Sequence, residues 1–269
     1  MKKLIVIIVA LLLLTGCIDY SSNVKLNTDG SGIIEETVLI SETFVEMMNS
    51  FAQSFGDSTE SENQFDIFDE EELKKQAMEI GEGVKYVSGE KIKIDGREGY
   101  KALYSFEDIS KLKLSDSPQN KMPGEDMMTE ETSGEFITFN FQKGNPAVLE
   151  VFFPKDEITG ESGTENKDEH EEEASDEMIT EQMKIFMKDF KISMNLEING
   201  NIVETNATNV ENNIVTFFEM DFSELLNMPE KFKKLQKSEP KTMSEAKKLI
   251  KDIPGFKVEL NDKIFVKFD

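Results

Sequence analysis

The side chain with the clearest chemical role in this sequence is the thiol of Cys17, the single cysteine among 269 residues. It follows two lysines and an uncharged apolar run of eleven residues, Leu4 to Leu14. That run is too short for a spanning helix, which needs about 20 residues, and its length is typical of a signal-peptide core. The small residues Thr15 and Gly16 separate the run from the thiol.

The segment Leu14-Thr15-Gly16-Cys17 resembles the lipobox of bacterial lipoproteins, in which an apolar residue and two small residues precede the lipidated cysteine. The resemblance implies a signal peptide of residues 1–16 that is removed, acyl chains on Cys17, and a membrane lipid anchor outside the cytoplasm. Because Ile18 and not an aspartate follows the cysteine, it also implies the outer membrane, facing the periplasm, in a bacterium with two membranes. The alternative interpretation of residues 4–14 is an uncleaved anchor helix or a buried first strand.

The composition is strongly acidic, since 54 Asp and Glu residues against 30 Lys and Arg residues give a net charge of −24. This charge would repel nucleic-acid phosphates, so nucleic acid is excluded as a partner. It also argues against a chain that lies flat on an anionic lipid surface. We therefore expect membrane attachment through the acyl chains alone.

The acidic residues are concentrated between Lys155 and Glu177, where almost no side chain is apolar. Such a segment cannot bury enough surface to offset its ordering entropy, which predicts a disordered loop. A calcium site is the alternative, although the ligand alternation and turn glycine of a calcium loop are missing.

The lone histidine, His170, lies in this acidic run, which predicts a solvated imidazole. With no phosphate-binding glycine loop either, we expect no metal, no cofactor and no enzymatic activity.

Along the rest of the chain, apolar periodicity predicts β-hairpins with helices between them, which is an α+β pattern. The expected fold is a sandwich-like sheet of antiparallel hairpins with packed amphipathic helices and disordered acidic loops. One domain would span 17–226, with polar loops near 56–66, 115–132 and 154–176, and a helix–hairpin extension would span 227–269. The predicted hairpins are 20–27 with 33–40, 84–94 with 98–106, 135–141 with 147–153, and 256–260 with 264–268; single strands are predicted at 191–198, 202–206 and 214–220, and helices near 44–55, 69–80, 179–190, 221–227 and 244–250.

Two stretches carry a second resemblance. The turn Asn27-Thr28-Asp29-Gly30-Ser31-Gly32 and the later stretch from Leu196 to Ala207, followed by Asn212 to Met220, are similar to the signatures of LppM-domain lipoproteins. The chain departs from that pattern where Phe217 and Phe218 replace the usual tryptophan. The resemblance implies a sandwich-like domain outside the cytoplasm, linked in some members to apolar or lipid ligands, and it implies no enzyme.

Two helical faces rich in methionine and phenylalanine are the remaining candidates for a binding site. Their simplest interpretation is packing against the sheet, and the alternative is an adaptable apolar groove. We expect a non-enzymatic binding protein for an apolar or lipid ligand. The alternatives are a scaffold that holds an envelope protein through acidic loops and a hydrolase that uses carboxylates alone. The candidate faces comprise Met47, Met48 and Phe51 on one helix and Met183, Phe186 and Met187 on the other.

Overall fold

The computed structural model describes residues 18–41, 45, 68–115, 136–154, 190–236, 238 and 242–269. Within these residues we number strands β1 to β13 and helices α1 to α4 in chain order. The elements are β1 Ile18–Leu26, β2 Gly32–Ser41, α1 Glu70–Ile80, β3 Lys85–Ile94, β4 Arg97–Phe106, a 3₁₀ turn Ile109–Lys111, β5 Lys113–Ser115, β6 Phe136–Gln142, β7 Ala147–Phe152, β8 Lys191–Ile198, β9 Ile202–Thr205, β10 Val210–Glu211, β11 Ile214–Asp221, α2 Phe222–Leu226, α3 Pro229–Gln236, α4 Met243–Ile250, β12 Phe256–Val258 and β13 Lys263–Phe268.

The large sheet is built around β1. Its strand order is β10-β11-β8-β1-β2-β4-β3, and β12 also pairs with β11. On one side β1 is antiparallel to β2, in register from Ile18 opposite Ile40 to Leu26 opposite Gly32, and on the other side it is parallel to β8. Side chains along β1 alternate between buried and half-buried positions, so one face of this sheet forms a wall of the core.

The small sheet has five strands in the order β5-β6-β7-β13-β9, and it faces the large sheet. The two sheets meet through aromatic contacts. The ring of Phe217 on β11 lies 6.4 Å from that of Phe139 on β6 and 5.3 Å from that of Phe153. A single hydrophobic cluster includes residues of both sheets, such as Val24 of the large sheet and Leu149 of the small sheet. The described chain is therefore a mainly β sandwich, with fewer helices than the predicted α+β class suggests.

Helix α1 packs against the large sheet at β3, as its apolar spacing predicts. The carboxylate of Asp69 caps the helix by accepting the backbone N–H groups of Glu71 at 2.8 Å and Glu72 at 3.2 Å. This cap satisfies donors that have no partner inside the helix. The buried face of the helix consists of Leu73, Ala77 and Ile80.

Two strand pairings differ from those predicted. The pair β1–β8 is parallel, and the chain 27–190 between the two strands, which includes β2 to β7, provides the long connection that a parallel pair requires. The predicted hairpin of 256–260 with 264–268 is wrong, since its two strands belong to different sheets: β12 pairs with β11, and β13 lies between β7 and β9. The predicted extension 227–269 thus supplies an interior strand of the small sheet. Helix α3, which we did not predict, lies in the same segment.

Several predicted elements fall outside the described residues. They include the helix near 44–55 apart from Val45, and the helix near 179–190 apart from Phe190. The polar loops 56–66, 115–132 and 154–176 also fall there, except for Ser115 and Pro154. Their structures stay predictions.

Candidate functional site

A cavity of about 240 Å³ lies between the large sheet, helix α1 and the β5–β6 edge of the small sheet. Its wall combines aliphatic and aromatic side chains with a few hydroxyl, amide and charged groups. The cavity forms where these three elements meet, and the side chains of none of them fill it. The lining residues are Tyr20, Ser22, Ile34, Gln76, Glu79, Ile80, Lys113, Leu114, Ser115, Phe136 and Met194.

Polar groups gather on the large-sheet side of the cavity. Ser22 on β1 lies opposite Glu36 on β2, and Glu36 has no exposed surface. The Glu36 carboxylate accepts hydrogen bonds from the hydroxyl groups of Tyr20 at 3.3 Å and Tyr100 at 3.1 Å. Burial raises the pKa of Tyr100 far above its usual range, and the Glu36 charge adds to this effect. The Tyr100 hydroxyl therefore stays protonated and continues to donate to the carboxylate.

The mouth of the cavity carries charges of both signs. Glu79 on α1 and Lys113 on β5 line it, and both residues are exposed. Between them and the core, the Gln76 side-chain oxygen accepts a hydrogen bond of 2.8 Å from the Tyr104 hydroxyl, which fixes the amide in the wall. The mouth therefore has no excess of one charge, and it does not favour a strongly charged ligand.

The size and lining of the cavity limit what it could hold. Pockets for drug-sized ligands occupy about 300–1,000 Å³, so this cavity fits a small ligand or one apolar part of a larger one. Its aliphatic walls would stabilise such a group by burial, and its hydroxyls would orient a polar end. In the described part of the chain, no group of three or more His, Cys, Asp or Glu side chains is placed to hold a metal ion.

We did not predict this site from the sequence, although β2 carries a signal for it. On β2 the inward positions alternate as Ile34, Glu36, Val38 and Ile40, so the carboxylate of Glu36 stands in the apolar phase of a strand. A charged residue in that phase is buried and must find partners. What the sequence could not show is that Tyr100, 64 residues away, supplies one of them.

The two turns that resemble the LppM-domain signatures contact each other. The Asn199 amide donates to the Asn27 side-chain oxygen at 2.7 Å, and the Asn199 backbone N–H donates to the Leu26 carbonyl at 2.8 Å. Inside the first turn, Asp29 accepts the backbone N–H of Ser31 at 3.0 Å and its hydroxyl, and these bonds lower the pKa of Asp29. These residues therefore have structural roles: they join the ends of β1 and β8.

Two further buried charged side chains lie where β12 leaves the large sheet. Glu259 accepts the backbone N–H of Thr208 at 2.7 Å and its hydroxyl at 2.6 Å, together with the backbone N–H of Asn261 at 2.9 Å. By contrast, Lys247 on α4 has no hydrogen-bond partner for its amine among the described residues, and the amine lies 5.6 Å from the Phe153 ring. Burial lowers the pKa of Lys247. Glu259 is a hydrogen-bonded structural group, whereas Lys247 is a buried amine without a hydrogen-bond acceptor among the described residues.

The site residues predicted from the sequence cannot be compared with this geometry. Cys17 and the lipobox residues Leu14, Thr15 and Gly16 lie outside the described residues. In the described part, no helix has the length and apolar character to cross a bilayer. The Met and Phe positions of the two predicted helical faces, Met47, Met48, Phe51, Met183, Phe186 and Met187, also lie outside it.

Comparisons with known proteins add one structural similarity. No protein-family model matches the chain, and no curated protein matches it. The NMR structure of the folded domain of the LppM protein from Mycobacterium tuberculosis is similar with a TM-score of 0.30 and 9% sequence identity, over 78% of this chain and 85% of that chain.

Proposed function

We propose that the protein is a membrane-anchored lipoprotein outside the cytoplasm that binds, without catalysis, a ligand with an apolar part. The anchor rests on the lipobox and on Cys17 as the single acceptor for acyl chains. The binding role rests on one observation, the cavity between the large sheet, α1 and β5–β6. Ile34, Leu114 and Met194 give this cavity an apolar interior, and the Tyr20 and Ser22 side chains give it a polar side.

The geometry favours a neutral or weakly polar ligand end. A hydroxyl or amide of the ligand would meet Tyr20 and Ser22, whereas a second negative charge would be repelled by the buried Glu36 carboxylate behind them. A cavity of about 240 Å³ would hold one short chain or ring. The remainder of a larger ligand would extend through the mouth past Gln76 and Lys113.

A matched pair of variants on β2 tests the binding role. Ile34 is 1% exposed and lines the cavity, whereas its neighbour Ile33 is 36% exposed and lies on the opposite face of the sheet. Ile34→Phe should fill the cavity and weaken binding of an apolar fluorescent probe by about tenfold or more, since the ligand and the new ring compete for one volume. Ile33→Phe should leave binding unchanged. Equal affinities for the two variants, both shown to be folded by circular dichroism, would refute the cavity as the site.

The natural ligand is sought by native mass spectrometry of the protein purified from its own membranes in mild detergent. We expect a bound small molecule in the wild type and less of it in Ile34→Phe.

Metabolic labelling with a clickable fatty acid tests the anchor separately. Wild type should carry the label and Cys17→Ser should not, and equal labelling of the two would contradict the lipoprotein assignment.

A further inference from the structure

The position of Cys17 relative to the fold places one end of the large sheet at the membrane. Strand β1 begins at Ile18, which is 3% exposed and paired with Ile40. Consecutive Cα atoms are about 3.8 Å apart, so no linker separates an acylated Cys17 from the sheet. The following inference rests on the proposed lipid anchor. If Cys17 carries acyl chains, the sheet end that contains Ile18, which we call the anchor end, must lie at the lipid headgroups.

The strand registers show which elements share the anchor end. Strand β8 runs parallel to β1 and begins there, since Lys191 lies opposite Asp19. Strand β11 runs antiparallel to β8 and ends there at Asp221, and β12 returns at Phe256, which lies opposite Met220. Helices α2, α3 and α4 occupy the chain between Asp221 and Phe256. The helical segment therefore leaves the large sheet at the anchor end and returns to it there.

This helical segment differs in charge from the rest of the molecule. Residues 222–255 contain eight lysines and five acidic residues, a local net charge of +3 in a chain whose total is −24. Lys234 on α3, Lys248 on α4 and Lys251 after it are all exposed. We call these three side chains the helical lysine face.

Cations on the sheet itself at the anchor end are neutralised by partners. Arg97 contacts Asp19 at 3.0 Å, and Lys191 contacts Asp221 at 3.4 Å. Within the described part of the chain, none of the three side chains of the helical lysine face forms an ion pair. No carboxylate of the described fold neutralises their positive charge.

We propose that the helical lysine face contacts anionic phospholipid headgroups of the membrane in which Cys17 is anchored. An anionic leaflet attracts lysines that are held within a Debye length of its surface, which is about 10 Å at 0.1 M ionic strength. The same surface repels the acidic remainder of the chain. The two effects act together, so the anchored molecule takes one orientation, with α3 and α4 against the headgroups.

The test uses the full lipidated protein, reconstituted into vesicles of phosphatidylcholine alone or of phosphatidylcholine with phosphatidylglycerol. Flotation first shows whether the protein is anchored in both. Mass spectrometry then gives the rate of amine acylation at each lysine. At low salt, acylation of Lys234, Lys248 and Lys251 should be about fivefold slower in the anionic vesicles, and high salt should abolish the difference. Lys143, in the β6–β7 turn at the far end near Asp29, should react equally in both.

Two triple variants with the same change in net charge provide the control. In the wild type the exposed Lys231 on α3 should likewise react more slowly in anionic vesicles, and Lys234→Gln, Lys248→Gln and Lys251→Gln together should remove that effect. The second variant combines Lys85→Gln, Lys111→Gln and Lys143→Gln, all in elements at the far end of the sheet, and it should retain that effect.

The outcomes separate this inference from the anchor. A protein that floats with neither vesicle would overturn the anchor, and the inference with it. Flotation with both, with acylation rates that are equal in the two vesicles, would overturn the inference and leave the anchor standing. Slow acylation that is independent of phosphatidylglycerol would show contact without recognition of charge, and it would also overturn the inference.

Discussion

At the scale of single residues, the two buried carboxylates and the buried amine differ in the hydrogen bonds that offset their loss of hydration. Glu259 accepts hydrogen bonds from the backbone N–H groups of Thr208 and Asn261 and from the Thr208 hydroxyl. Glu36 is held by the hydroxyls of Tyr20 and Tyr100. Lys247 is only 8% exposed, and it has Coulomb attraction from Asp262 and Glu259 but no hydrogen bond among the described residues. Of the three charges, the amine is the one that burial penalises most clearly.

Replacing Lys247 with methionine should therefore stabilise the protein. Methionine keeps the stem that packs near Phe153 and removes the desolvated charge, so we expect the free energy of unfolding to rise by about 1 kcal/mol at neutral pH. Urea denaturation followed by circular dichroism measures the change. Lys248→Met, at the exposed neighbouring position, should change stability by less than about 0.5 kcal/mol.

The pH dependence provides a second readout of the same residue. Because burial lowers the pKa of Lys247 in the folded state, the unfolded chain binds more protons between that pKa and the usual value of 10.5. Stability should therefore rise with pH as 10.5 is approached from below. Lys247→Met should be less stabilising at the upper end of this range than at neutral pH. A gain that is independent of pH would show that the amine is not desolvated.

At the scale of elements, the β1–β2 turn depends on glycine for two distinct reasons. Gly30 has a φ of +93°, which costs side-chain-bearing residues about 1 kcal/mol, and an added Cβ would lie 2.6 Å from the Phe141 ring. Gly83 has a similar φ of +81°, but nothing lies within 4 Å of an added Cβ. The pair thus separates the backbone cost from the steric cost.

We expect Gly30→Ala to lower the free energy of unfolding by about 3 kcal/mol and Gly83→Ala by about 1 kcal/mol. The larger effect reflects displacement of Phe141, whose ring also lies 6.3 Å from that of Phe268 in the core. Urea midpoints of the two variants measure the difference. Equal losses would mean that the ring moves aside without cost.

Local patterns in the sequence predict the elements well and their partners poorly. Alternation predicts β1 and β2 because their pairing is local and the turn at Gly30 joins them directly. The parallel pair β1–β8 joins residues about 170 positions apart, and no local signal encodes such a contact. The cavity has the same limitation, since its lining comes from β1, β2, α1, β5, β6 and β8. A site built at the meeting point of distant elements can be located only after the sheet order is known.

At the scale of the whole molecule, net charge alone does not determine how the protein interacts with an anionic membrane. The total of −24 predicts repulsion from an anionic lipid surface. This sum over the chain, however, hides how the charges are distributed. The fold places the lysine-rich segment 222–255 at the end of the sheet where β1 begins. An acidic protein can therefore still present a cationic side to a membrane.

The whole sandwich also depends on its last strand. Strand β13 lies between β7 and β9, and its inward residues Ile264, Val266 and Phe268 have no exposed surface. Without β13 the small sheet would divide, and the inward face of β7 would lose the neighbour that covers it. A chain that ends at residue 226 should therefore fail to unfold cooperatively, and it should elute as an expanded or aggregated species in size-exclusion chromatography.

A matched pair on β13 tests this dependence without removing any backbone hydrogen bond. Phe268→Ala empties a fully buried position and should lower the free energy of unfolding by about 3–5 kcal/mol. Phe265 lies on the outward face of the same strand, half-buried beside Lys267, so Phe265→Ala should cost about 1 kcal/mol or less. Urea unfolding followed by circular dichroism gives both values. If the two variants lost similar stability, or if the chain ending at residue 226 unfolded with an unchanged midpoint, β13 would be an accessory strand, and the core would be complete without residues 227–269.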